Sequence, residues 1–193
     1  MNIKLIVAII GILLTLVAYV PYIVDTVRGN TRPHSISWLI WSLLGFVVYT
    51  LQLTHGGGYG TWITGCVLVI QILIFFLSLR FISRDVCAAD LLFLVLAVLG
   101  LVIWICSNND TLSIVYIVSI SLIGYIPTIM KIHRDPHSET LSTYAINSVR
   151  HAFGIYSLHT FNLITLIHPG TWSLINALLV FYIWKQRRNI TNV

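Results

Sequence analysis

The chain has 193 residues, of which 58% are hydrophobic and only 9% charged, with a net charge of +5 at neutral pH. Soluble domains carry about 25% charged residues, so this composition leaves too few polar groups to coat a water-soluble domain. The charges are also bunched. No Asp, Glu, Lys or Arg occurs in 5–24, 33–79, 91–109, 111–130 or 151–184, windows of 20, 47, 19, 20 and 34 residues, and one helical bilayer crossing takes about 20.

Taken in chain order, these windows predict seven membrane-spanning helices in an all-α integral membrane protein. The first covers 3–24. Its apolar run continues to Pro21 and Tyr22 with no small-residue cleavage pattern, so it reads as a span rather than a signal peptide. The second window divides at His55-Gly56-Gly57-Gly58-Tyr59-Gly60, a turn signal, which predicts helices over 35–53 and 60–82. A fourth helix covers 88–106. From Leu91 to Cys106 it holds no Ser, Thr, Asn, Gln or His, and a helix apolar all round lines no polar path. The fifth covers 112–131. The last window divides at His168-Pro169-Gly170, giving helices over 140–158 and 168–186, the former interrupted by Arg150. The cysteines Cys66, Cys87 and Cys106 have no CxxC spacing and read as small buried apolar side chains.

Arg28 and Arg32 follow the first span, Arg80 and Arg84 the third, Lys131 and Arg134 the fifth, and Lys185, Arg187 and Arg188 the seventh. In a seven-span chain these nine share one side, opposite Lys4. By the positive-inside rule the N-terminus is expected outside and the C-terminus in the cytoplasm. Topology thus accounts for the basic balance, and no nucleic-acid partner is implied.

An internal repeat is also legible. Tyr19-Val20-Pro21 returns as Tyr125-Ile126-Pro127, Arg28 as Arg134, and Pro33-His34-Ser35 as Pro136-His137-Ser138. Tyr49-Thr50-Leu51-Gln52 answers Tyr156-Ser157-Leu158-His159, and Gly60-Thr61-Trp62 answers Gly170-Thr171-Trp172. The unit is three spans. Because three is odd, one extra span must separate two units that face the same way, and the greasy fourth helix suits that place. The expected organisation is a first repeat over 1–84, a linker helix over 85–110 and a second repeat with a short basic tail over 111–193.

On these features the chain resembles the SWEET and PQ-loop superfamily of small transporters. The likeness covers nearly its whole length: the 3+1+3 layout, the outside N-terminus, and a proline near the cytoplasmic end of the first helix of each unit followed by a short basic loop. Pro33-His34-Ser35-Ile36-Ser37-Trp38-Leu39-Ile40-Trp41 is similar to uncharacterised bacterial members, which implies a bacterial inner (plasma) membrane. The glutamine of the family's naming motif is replaced here by Tyr22 and Thr128.

Polar groups inside a membrane face the bundle interior or a wet cavity. Candidate solute-binding residues are therefore Trp38, Trp41, Ser42 and Tyr49 of the second span, with Gly45 and Gln52 on the same face. The third span adds Gln71, the sixth Tyr144, Asn147, Arg150 and His151, and the seventh Asn176. Pro21 and Pro127, with Tyr19 and Tyr125 beside them, are candidate hinge or gate residues, as the resemblance implies for the prolines. A fixed structural bend is the other reading. Trp62 and Trp172 fit either an aromatic belt or a gate. Arg150 lies about 15 Å into its helix, with no Asp or Glu at comparable depth. It is satisfied by carbonyls and amides, or snorkels toward water, or holds an anionic group of the solute. His34 and His137 read as helix caps or headgroup contacts, and His151 as a proton-coupling candidate.

The expected function is transport of a small polar solute (a sugar, an amino acid or a carboxylate-bearing metabolite) by alternating access between the two repeats. The alternative is a receptor or sorting protein on the same scaffold that binds a small or peptide ligand without transport. No paired acids, HExxH motif or deep lysine is present, so neither an enzyme, a metal site nor a cofactor is expected. The partners are the solute and the bilayer, with a homo-oligomer left open.

Overall fold

The structure is a computed structural model that describes residues 2–81, 88–137 and 140–191. It is all-helical among the described residues: α1 (Ile3–Val27), α2 (Ser35–Thr54), α3 (Gly60–Ser78, lengthened by one 3-10 turn at Leu79–Phe81), α4 (Ala88–Cys106), α5 (Asp110–Ile123), α6 (Ile126–Arg134), α7 (Leu141–Tyr156) and α8 (Leu163–Thr191). Arg84, Cys87, Ser138 and the expected boundary between residues 84 and 85 lie outside the described residues.

Local chemistry sets the helix ends. Asn2 and Asn109 accept the backbone N–H of Lys4 and Leu112 at the starts of α1 and α5, satisfying donors that the first helical turn leaves without partners. At the start of α8, Asn162 Oδ1 accepts from Thr165 N–H at 2.9 Å while Thr165 Oγ1 accepts from Asn162 N–H at 3.2 Å. This reciprocal box begins α8 at Leu163, five residues before the expected start. His168-Pro169-Gly170 is therefore not a turn but lies inside the helix. Pro169 has no N–H for the carbonyl of Thr165, and Gln52 Nε2 of α2 donates to that carbonyl at 3.3 Å. A neighbouring helix thus replaces the bond that the proline removes.

The two repeat-related prolines sit in different backbones. α1 runs unbroken through Pro21 to Val27. The expected fifth span instead breaks at Gly124-Tyr125, which puts Pro127 in the first turn of α6, where a missing N–H has no intrahelical partner to lose. Two other repeat pairs do not hold equivalent places. Gly60 opens α3, whereas Gly170 lies two turns into α8. Tyr49 is inside α2, whereas Tyr156 ends α7.

Six segments are long and apolar enough to cross a membrane: Ile3–Val27, Ser35–Thr54, Gly60–Phe81, Ala88–Cys106, Asp110–Arg134 and Leu163–Arg188. α7 is a seventh, shorter helix. Its 16 residues span about 24 Å at 1.5 Å each, against a hydrocarbon thickness of about 30 Å. The outward side chains of α4, among them Leu92, Val95, Leu99 and Ile105, are exposed, as suits an integral membrane protein, where lipid covers them.

Packing follows the small and branched apolar residues. α2 lies on α3, and α7 on α8; α1 packs on both α3 and α7, α5 on both α8 and α2, and α4 on α2 and α5. One buried cluster joins Leu44, Val47 and Leu51 of α2 to Ala97 of α4 and Ile114 and Ile117 of α5. A second joins Ile132 of α6 and Tyr144 of α7 to Leu179 and Ile183 of α8. Between α7 and α8, Ser148 Oγ donates to Ser173 O at 2.9 Å and Ser173 Oγ donates to Ser148 O at 3.0 Å. Interhelical bonds of this kind are worth about 0.6 kcal/mol each in a membrane protein. Replacing both serines by alanine is expected to lower stability by about 1 kcal/mol, read as a small fall in thermal midpoint in detergent.

Candidate functional site

The helices enclose a cavity of about 340 Å³ lined from α1, α2, α3, α7 and α8 and by Tyr125 at the α5–α6 break; neither α4 nor α5 contributes to it. Its position follows from the packing, since α2 and α3 on one side and α7 and α8 on the other are the polar-bearing helices and face each other. The absence of α4 accords with its apolar sequence.

Arg150 of α7 lines this cavity and is 4% exposed. Its Nη2 donates to Asn147 Oδ1 at 3.2 Å and lies 3.2 Å from His151 Nε2. A guanidinium only donates, so His151 Nε2 accepts here and carries no proton. No carboxylate forms an ion pair with Arg150 among the described residues; Asp90 stands 3.6 Å from His34 and Asp110 3.3 Å from His55, both away from it. Arg150 Nε is buried without a hydrogen-bond partner.

Four more lining residues share that condition. Gln52 Oε1, Gln71 Oε1, Asn176 Oδ1 and His168 Nδ1 are buried and have no partner among the described residues. The amide nitrogens of Gln52 and Asn176 each give one of their two N–H groups, to Thr165 O at 3.3 Å and Trp172 O at 2.7 Å, which fixes the orientation of the amides and leaves their oxygens as acceptors. Gly45 makes room for Gln71, because a Cβ there would stand 2.7 Å from Gln71 Oε1. Buried polar atoms without partners are uncommon in folded proteins, and here five of them belong to cavity-lining residues of α2, α3, α7 and α8.

Aromatic rings complete the lining. Trp172 makes edge contacts with Trp41 at 6.2 Å, Tyr125 at 5.1 Å and His168 at 6.4 Å. Trp38 lies between Tyr19 at 6.5 Å and Tyr22 at 5.6 Å.

Of the residues expected from sequence, Tyr19, Trp38, Trp41, Gln71, Tyr125, Asn147, Arg150, His151 and Asn176 meet at this cavity. Ser42, Tyr49, Tyr144 and Pro21 do not line it. Ser42 donates to Trp38 O at 2.7 Å, within its own helix. Tyr49 packs its ring over Gly65 of α3, Tyr144 belongs to the apolar cluster with Ile183, and Pro21 is exposed on α1. Trp62 is also exposed, against Tyr59 at 5.0 Å, whereas its expected counterpart Trp172 is buried in the cavity wall. His34 stands at the N-cap of α2 but bonds Ser37 Oγ at 2.9 Å and no backbone N–H. Cys66 is half-buried and Cys106 exposed, so the latter is not a core residue. Sequence reasoning missed His168 and Pro169 as lining residues because it placed them in a turn; Asn162-x-x-Thr165 was the signal that moves them into α8.

Hydrogen bonds between the α2–α3 loop and the α7–α8 loop gather at one end of the cavity. Gly60 N–H donates to Ser157 O at 3.1 Å, His159 N–H to Gly57 O at 3.2 Å and Thr160 N–H to Gly56 O at 3.1 Å. Asn162 Nδ2 donates to His55 O at 3.3 Å, and Lys4 Nζ donates to Leu158 O at 2.6 Å. At the opposite end, Ser35 Oγ donates to Ser78 O at 3.1 Å, joining α2 to α3, and Arg187 Nε donates to Pro136 O at 3.0 Å, joining α8 to the loop after α6.

Compared with protein-family models, with curated proteins and with solved structures, the chain matches none.

Proposed function

We propose that this chain is a membrane transporter that carries a small polar solute through the cavity between two three-helix repeats. The repeats are α1–α3 and α5–α8, with α5 and α6 together forming the first span of the second unit and α4 serving as the linker. The packing pattern supports this division. α1 touches its own α3 and the other unit's α7, just as α5 touches its own α8 and the other unit's α2. The sequence's resemblance to the SWEET and PQ-loop superfamily agrees with that layout, and its charge distribution with an outside N-terminus.

The observation that carries the proposal is a cavity into which both units bring polar side chains, inside a helical body whose exterior is apolar. Sites at a repeat interface are the usual arrangement in transporters built this way. The bonded loops close one end, the outer one by the charge rule, and the bonds at the other end hold helices of one unit together rather than joining the two units. In this reading the clasp between the loops must part for solute to pass the outer end. The test is counterflow in proteoliposomes loaded with labelled sugars, amino acids or small carboxylates. Accumulation of one class is expected. Binding without flux would instead identify a receptor, and no flux of any class overturns the proposal.

A further inference from the structure

Deepening that reading, and resting on it for the cavity being a solute site, we infer that the solute is a small hydroxy-monocarboxylate, held by its carboxylate on Arg150 and by its hydroxyls on the amide oxygens of Gln52, Gln71 and Asn176. Among the described residues, Arg150 is the one Lys or Arg in the lining, and no Asp or Glu lines it. Its side chain is almost wholly buried and keeps an unpartnered Nε. A buried cation without a counter-charge is costly unless something anionic completes it, and a guanidinium presents paired donors that match a carboxylate.

The count of charges sets the charge of the solute. One buried cation balances one negative charge. A dicarboxylate or phosphate monoester would leave a second charge uncompensated in the same enclosure. A zwitterionic amino acid would place an ammonium among neutral amides, beside a guanidinium, with no carboxylate side chain to receive it. A monoanion leaves the filled cavity neutral.

The remaining wall decides the rest of the molecule. The oxygens of Gln52 and Asn176 are fixed as acceptors by what their nitrogens do, and Gln71 Oε1 lacks a partner as well. Acceptors need donors, and hydroxyl groups supply them without adding charge. A site built to bond a hydroxyl discriminates strongly against an analogue lacking it, because its own buried groups are then left unpaired. The rings of Trp41 and Trp172 offer the carbon skeleton an apolar surface. The cavity volume of about 340 Å³ is at the small end of ligand sites and admits a small solute.

The experiment measures binding to the purified full chain in detergent, by calorimetry, with three probes that share one three-carbon skeleton. These are glycerate, its neutral amide glyceramide, and propionate, which keeps the carboxylate and loses both hydroxyls. Glycerate is expected to bind at least about tenfold more tightly than glyceramide and than propionate, since a hydrogen bond to a charged or buried group is worth about ten- to a hundredfold in affinity. Arg150→Gln is expected to abolish the preference for glycerate over glyceramide. Arg150→Lys, which keeps the charge and loses the paired donors, is expected to restore part of it. The wild-type probe series stands even if a variant fails to fold. Equal binding of glycerate and glyceramide, or no binding of glycerate, overturns the anionic assignment; equal binding of glycerate and propionate overturns the hydroxyl assignment. Counterflow of a neutral sugar with no glycerate binding sinks this inference alone, whereas glycerate binding without flux sinks the transporter and leaves the binding site standing.

Discussion

A protein carrying Gly56→Cys and Thr160→Cys, with Cys66, Cys87 and Cys106 replaced by alanine, is expected to carry solute when reduced and to fall to background flux when oxidised. Gly56 and Thr160 lie in the two loops whose backbones bond across one end of the cavity. A Cβ built on Gly56 stands 3.4 Å from Thr160 Cβ, at the short edge of the roughly 3.5–4.5 Å that a disulfide requires. Gly56 has a φ of +77°, so a cysteine there is strained by about 1–2 kcal/mol, a cost the folded protein can carry. The covalent link prevents the loops from parting, and alternating access needs them to part. Reduction should restore flux in the same vesicles, which separates a lock from a misfolded variant. Flux that persists under full oxidation would show that solute does not pass this end.

The second large effect concerns the proline inside α8. Gln52→Leu removes the donor that serves the carbonyl of Thr165, and a buried carbonyl left unpaired costs about 1–3 kcal/mol. For a chain of this length that is a fall in thermal midpoint of about 2–4 °C per kcal/mol. Pro169→Ala supplies a backbone N–H to the same carbonyl. Adding it to Gln52→Leu is therefore expected to recover most of the loss. A double variant that falls as far as the two single changes added together would show that Gln52 acts through some other contact.

Much of the site was legible before any helix was placed. Arg150, Asn147, Gln71 and Asn176 stand out because a polar side chain amid apolar windows must face inward or find a partner. The apolar run of α4 likewise announced a helix with no place in the lining. Ser42 and Tyr144 show where that logic fails. A serine in a helix can spend its hydroxyl on the preceding turn, and a tyrosine can bury its ring in an apolar cluster, so neither is bound to a polar wall. Trp172 erred the other way: pairing it with Trp62 by motif put it at a membrane surface, and one capping box upstream carried it five residues deeper into its helix.

Hydropathy and charge spacing by themselves determined that the chain is built of helices long and apolar enough to span a membrane and which helix carries no polar load; they also implied seven crossings, where six segments have the length and α7 falls short. These are one-dimensional properties: the length of a bilayer crossing and the cost of burying a charge act on each segment alone. Which polar residues share one cavity, which proline is rescued by a neighbour's amide, and which loops bond to each other were decided only by tertiary structure. Those depend on helix rotation and on pairs about a hundred residues apart, such as Gln52 with Thr165 and Gly60 with Ser157 at the edge of the cavity, for which periodicity carries no signal.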